Sequence, residues 1–127
     1  MIEDAGERWV GQLRRGAAEH CVLALLRDGE AYGFDLARVL AEAGLIAGEG
    51  TIYPLLSRLR RDGLVETSWR PSALGPPRRY YVLTGRGEQA LVRFVREWRP
   101  FAAAVDRLLG VQPCEEGSHP YAVPKGS

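Results

Sequence analysis

Residues 50–65 read Gly50-Thr51-Ile52-Tyr53-Pro54-Leu55-Leu56-Ser57-Arg58-Leu59-Arg60-Arg61-Asp62-Gly63-Leu64-Val65. Ile52, Leu55, Leu56 and Leu59 recur at the i, i+3, i+4, i+7 spacing that directs one stripe of a helix at a core. A rotation of about 100° per residue places Gly50, Pro54, Ser57 and Arg61 on the opposite side, flanked by Tyr53, Arg58 and Arg60. Thr51 is expected to cap a helix over 51–62. Pro54 is tolerated in the first turn, where backbone donors lack intrahelical acceptors. Gly63 is a stop signal, and Leu64-Val65 begins a strand. A short basic helix with one buried face, leading directly into a strand, has the form that reading a DNA groove requires.

Working outward, residues 5–14 predict a lead-in helix and 16–27 a core helix dense in Cys21, Val22, Leu23, Leu25 and Leu26. Asp28-Gly29-Glu30 is a turn, and a helix follows over 32–43. After the glycine-bearing linker 44–50 and the helix above, 64–69 and 78–83 predict two strands. Between them 70–77, with Pro71, Pro76 and Pro77, reads as a stiff projecting loop that bars further pairing. Thr84 is the expected cap of a long helix over 86–109. Residues 111–127 lack periodicity and are expected to be disordered. The fold class is therefore mainly α with a small β-wing. A lead-in helix and winged helix-turn-helix occupy 1–84, a long C-terminal dimerisation helix occupies 85–110, and a tail completes the chain.

With 127 residues there is room for one core. Basic and acidic residues nearly balance, but their distribution does not. Residues 1–50 carry five Arg against nine acids, a net of −4, whereas 51–99 carry ten Arg against four acids, a net of +6. Positive charge thus gathers around the quoted helix, as a polyanion footprint requires. Cys21 and Cys114 suggest no disulfide framework, and no apolar run has the length of a signal peptide core or a membrane span. His20-Cys21 and Cys114 with His119 lack zinc-site spacing, and no catalytic triad, phosphate-binding glycine loop or carboxylate pair stands out. No enzyme, cofactor or metal is expected.

Several ordered blocks carry a resemblance. Tyr32-Gly33-Phe34, the stretch Gly50–Leu56 with Arg58-Leu59, Gly63-Leu64-Val65, and Arg79-Tyr80-Tyr81-Val82-Leu83-Thr84 with Gly87 resemble the PadR family of bacterial transcriptional regulators, from about Leu13 to Leu109. The resemblance implies a homodimeric winged-helix protein that binds a near-palindromic operator, usually as a repressor released by a small molecule. It also implies the short subclass with a single C-terminal helix, bacterial and associated with the nucleoid. The lack of a signal-peptide core, a membrane-length run or a disulfide framework sets the expected location in the cytoplasm. Two positions depart from the family pattern. Gly48-Glu49 stand where a small polar residue commonly precedes Gly-Thr, and Pro100 lies inside the last helix.

The candidate DNA-binding residues follow from the helix and wing. Thr51, Tyr53, Pro54 and Ser57 face the major groove, which is about 12 Å wide. Arg58 and Arg61 lie one turn later, toward phosphate. Tyr32 can bring its hydroxyl to a phosphate at a helix start. Arg78 and Arg79 at the wing base would follow the flanking backbone or minor groove. Competing readings are a solvated face for the arginines, packing for Tyr32 and Tyr53, and an Arg79–Glu66 pair across the hairpin. A winged helix used only for protein contact is the alternative function.

The last helix repeats Leu91, Trp98 and Val105 at seven residues, beside a second row holding Phe94, Phe101 and Leu108. This approximates a heptad seam. With Trp9 and Leu13 it forms the expected dimer interface, since burying six such side chains contributes on the order of 10 kcal/mol gross. Two reading helices would then lie roughly 34 Å apart. Pro100 is expected to kink or split the helix near Trp98 and open a gap. Some members of the resembled family bind flat aromatic compounds between interface tryptophans. Trp98, with Trp9 and Phe101, therefore lines either an effector pocket or ordinary dimer core.

Overall fold

A computed structural model describes residues 2–111 and 124; within the first helix, the side chains of residues 2–10 and 15 lie outside the described set. Trp9 as an interface residue, and almost all of the expected disordered tail 111–127, therefore fall outside the described residues.

The chain runs α1 (Ile2–Leu25), β1 (Ala31–Tyr32), α2 (Gly33–Glu42), a 3-10 turn (Glu49–Thr51), α3 (Ile52–Arg61), β2 (Val65–Ser72), β3 (Gly75–Leu83) and α4 (Gly85–Leu109). The two helices expected over 5–14 and 16–27 are one. Gly16 is exposed and does not interrupt α1, since a helical glycine costs only about 1 kcal/mol relative to alanine. Val22, Leu23 and Leu26 of this first segment meet Leu36, Val39 and Leu40 of α2 and Ile52, Leu56 and Leu59 of α3 in a single core.

The sheet corrects the expected two-stranded hairpin. It has three antiparallel strands in the order β1-β3-β2, with Ala31 opposite Tyr81 and Tyr32 opposite Tyr80. A two-residue strand offers no alternation to read; it exists because β3 passes beside it. The hairpin is also longer than expected, continuing through the prolines to Ser72 and Gly75. Arg70 pairs with Arg78 and Ser72 with Gly75, so an irregularity absorbs Pro71, Pro76 and Pro77 where their missing donors interrupt the ladder.

Local signals at the helix ends behave differently from one another. Gly63 adopts φ +77° after α3, with Gly63 N–H donating to Arg60 O and Leu64 N–H to Leu59 O, a Schellman closure. Thr84 caps α4, its hydroxyl oxygen accepting from Gly87 N–H at 3.0 Å while donating to Gly63 O at 2.8 Å. Thr51 does not cap α3. It already has helical dihedrals, and its hydroxyl donates back to Gly48 O at 2.7 Å, because the 3-10 turn begins the coil two residues earlier. Pro100 does not split α4, which is continuous through it. The donor that Pro100 lacks would have served Arg96, an exposed residue whose carbonyl water can satisfy.

Gly87 shows how closely α4 enters the domain. A Cβ there would lie 2.1 Å from Leu64 O and 2.6 Å from a Leu83 methyl. Only glycine lets the first turn of α4 lie across the junction between α3 and the wing. Among the described residues no helix is long and apolar enough to cross a membrane.

Candidate nucleic-acid interface

The α3 helix resolves into two faces. Ile52, Leu55, Leu56 and Leu59 are buried, whereas Thr51, Tyr53, Pro54, Ser57, Arg60 and Arg61 are exposed. The wing stands beside this outward face. Tyr32, Phe34, Tyr53, Trp69, Arg78 and Arg79 border a shallow notch of about 280 Å³ between α3, the start of α2 and the hairpin. Eight of the nine sequence-derived candidates, Tyr32, Thr51, Tyr53, Pro54, Ser57, Arg61, Arg78 and Arg79, thus lie on or beside one surface.

The ninth, Arg58, is engaged with α1, and Arg79 is held in the wall of the notch. Arg58 Nε donates to the Glu19 carboxylate of α1, so the guanidinium expected to grip phosphate instead ties α3 to the first helix. A partner 39 residues away leaves no local trace in sequence. Arg79 is half-buried, its guanidinium 5.5 Å from the Trp69 ring centre and its Nε enclosed without a hydrogen-bond partner among the described residues. The competing Arg79–Glu66 pair is not formed, because the register sets Trp69 opposite Arg79 and Glu66 opposite Val82, on the other face. Tyr81, also on the Arg79 face, is buried. Burial raises its hydroxyl above the usual tyrosine range, and the neighbouring Arg79 charge opposes that shift.

Sequence reasoning missed Trp69, which projects 64% exposed from β2 beside the notch. Alternation from Val65 along the strand places Trp69 on the same face, a signal that was present. It also missed the pair formed by Glu30, before β1, and Arg70 of β2, which joins the wing to the helix-turn-helix. Glu49, whose carboxylate departs from the family pattern, is exposed at the start of the 3-10 turn.

The expected dimer seam divides. Leu91 is 4% exposed and belongs to the core of its own chain, because the first turns of α4 pack against α1 and β3. Phe94 is half-buried and stacks on His20 of α1 at 4.0 Å and 7°. Beyond it Trp98 is 46%, Phe101 62% and Leu108 89% exposed, with Leu13 and Val105 also exposed. Phe94 stacks on Trp98, and Trp98 tilts against Phe101. Leu13, Phe94, Trp98, Phe101 and Val105 line a cavity of about 650 Å³ between α1 and α4, edged by Glu97 and Asp106.

Three helices, a wing and a long terminal helix now have counterparts among known proteins. Residues 22–93 match the transcriptional regulator PadR-like family, more than half of the chain. This chain belongs to the PadR-like family.

A PadR family transcriptional regulator from Eggerthella lenta is 33% identical, covering 87% of this chain and 97% of its own, with a TM-score of 0.71. A PadR-like transcription factor from Bacteroides fragilis is 43% identical over 77% of this chain and 95% of its own, with a TM-score of 0.64. A transcriptional regulator of Mycobacterium tuberculosis is 33% identical over 94 residues, 74% of this chain and 87% of that protein. PadR-like proteins are DNA-binding transcription regulators rather than enzymes, and the winged-helix architecture of this chain is theirs.

Proposed function

We propose that this PadR-like regulator acts as a homodimeric repressor whose α3 helix enters the major groove of a near-palindromic operator. The observation that carries the reading is the division of α3. Its apolar stripe is covered by α1 and α2, while Tyr53, Pro54, Ser57 and Arg61 remain exposed beside the wing. Tyr53 and Ser57 offer hydrogen-bond donors to bases or phosphates, Pro54 offers only van der Waals contact, and Thr51 stands at the leading edge. Arg61 at the end of α3 and Arg78 at the notch supply positive charge. Arg58 supports this surface from behind through Glu19, while Arg79 lies against Trp69 in the wall of the notch.

The dimer is assembled through the C-terminal half of α4 and through α1, with Leu13, Trp98, Phe101, Val105 and Leu108 as its apolar contacts. Support comes from the row of exposed large side chains after Phe94, which is longer than the scattered apolar residues ordinary on a monomer surface. The cavity at Trp98 and Phe101 is the proposed effector site for a flat aromatic compound. A ligand there would change the spacing of the two subunits and carry the α3 helices out of register with the operator.

Selecting bound genomic fragments with purified protein tests the reading. Recovered sites should share an inverted repeat with half-sites about one helical turn, roughly 34 Å, apart. Affinity should fall about a thousandfold between 50 and 200 mM salt if some six phosphates are contacted. Recovery of no enriched sequence would reject the proposal. Titrating planar aromatic compounds should quench Trp98 emission and weaken operator binding together; quenching without loss of DNA affinity would remove the induction step alone.

A further inference from the structure

The face of the wing turned away from Trp69 carries an ordered stack that no sequence motif announces. Tyr32 lies opposite Tyr80, with ring centres 5.8 Å apart. The Arg78 guanidinium lies over the Tyr32 ring at 4.9 Å, and the Arg70 guanidinium over the Tyr80 ring at 5.2 Å. Arg70 also pairs with Glu30. Arg70 and Arg78 are direct cross-strand partners, an arrangement of like charges that is unfavourable by itself. The surroundings resolve it asymmetrically. Glu30 neutralises Arg70 at one end, while Arg78 stays exposed at the other, against an aromatic face that supports the cation without cancelling its charge.

Tyr32 is therefore poorly described as a hydroxyl waiting for phosphate. It is half-buried, it occupies the residue just before α2 in extended conformation, and its ring supports Arg78 beside Tyr53 at the edge of the notch. We infer that Tyr32 is a positioning residue that acts on DNA through Arg78, holding its guanidinium at the wing base where a phosphate passes, with Tyr80, Arg70 and Glu30 fixing the far side of the stack. The inference rests on the reading of the α3 and wing surface as the DNA interface. A planar cation held on a ring surrenders less side-chain freedom when it meets phosphate, so it binds that phosphate more strongly than a free arginine would.

The test uses the full chain and a fluorescein-labelled mixed-sequence duplex of roughly 20 base pairs, because phosphate binding is independent of sequence. Tyr32→Leu should weaken binding about tenfold and flatten the salt dependence, the slope of log K shrinking by about 0.9 for each phosphate that is no longer neutralised. Arg78→Ala should do the same, and Tyr32→Leu added to Arg78→Ala should cost nothing more. Tyr32→Phe, which keeps the ring and removes the hydroxyl, should restore both affinity and slope. Loss of binding in Tyr32→Phe would overturn the inference in favour of a direct hydroxyl–phosphate hydrogen bond. Additive losses in the double variant would overturn it too. Tyr32→Phe preserves the packing, so its result stands even where Tyr32→Leu fails to fold. Absence of duplex binding by the unaltered chain would instead reject the DNA interface, and this role with it.

Discussion

The α3 helix and the distal half of α4 are both amphipathic, but the chain completes only one of them. In α3 the apolar stripe is covered by α1 and α2, and what remains outside is hydroxyl, ring edge and guanidinium. In α4 the stripe is covered as far as Leu91 and half-covered at Phe94, after which Trp98, Phe101 and Leu108 stand in water. A helix whose exposed face is polar suits a hydrated, charged partner. A helix whose exposed face is apolar has an unfavourable hydration cost that only another apolar surface relieves. The two helices thus divide the labour proposed for the molecule, one meeting DNA and the other a second copy.

The largest expected effect strikes the place where the two regions meet. Gly87 sits in the first turn of α4 against Leu64, just beyond α3. An alanine inside a helix normally stabilises by up to about 1 kcal/mol over glycine. Here the sign reverses, because the new Cβ collides with a backbone carbonyl that cannot rotate away. Gly87→Ala should destabilise the fold by on the order of 4 kcal/mol, read as a collapse of the denaturant midpoint. A variant as stable as the parent would show that α4 can leave the domain without disturbing it.

Next, the covered and uncovered stripes should respond differently to truncation. Leu59→Ala should cost about 2–5 kcal/mol of folding stability, because a fully buried side chain leaves a cavity. Phe101→Ser should instead leave the helical circular dichroism of the chain intact and lower its mass in light scattering from that of the proposed dimer toward monomer. Equal unfolding by both variants would erase the distinction between the two helices. A smaller change is expected from Thr84→Ala, which removes both the α4 cap and the link to Gly63 O, at about 1–2 kcal/mol in thermal melts. The smallest concerns Cys21, whose thiol burial pushes above its ordinary pKa, favouring the unreactive protonated form. In a Cys114→Ser background, alkylation at neutral pH should be about tenfold or more slower in the folded chain than in denaturant. Equal rates would mean that α1 opens freely where Cys21 packs against the core.

Most of the winged-helix order was legible because it is written locally. The period of Ile52, Leu55, Leu56 and Leu59, the stop at Gly63 and the cap at Thr84 each depend on neighbours within a few residues. Thr51 misleads for the same reason, since a 3-10 turn beginning at Glu49 already uses the position that a cap would occupy. β1 was illegible because two residues become a strand only when β3 arrives beside them. In the candidate interface, eight residues share a surface because α3 and the wing are neighbours in chain order. Arg58 could not be separated from them by spacing.

By itself the sequence determined which residues face together on each element, since side-chain direction follows from helical and strand geometry at short range. It also determined where positive charge gathers and which family pattern the blocks follow. Tertiary structure alone decided which faces are already satisfied. Leu91 and Trp98 stand one heptad apart on the same helix, yet only the first reaches the core, because α1 and β3 close tightly against α4 only along its opening turns. Arg58 and Arg61 are equally basic, yet only the first finds Glu19. Such choices depend on residues far apart in the chain, which meet only once the core has closed around them.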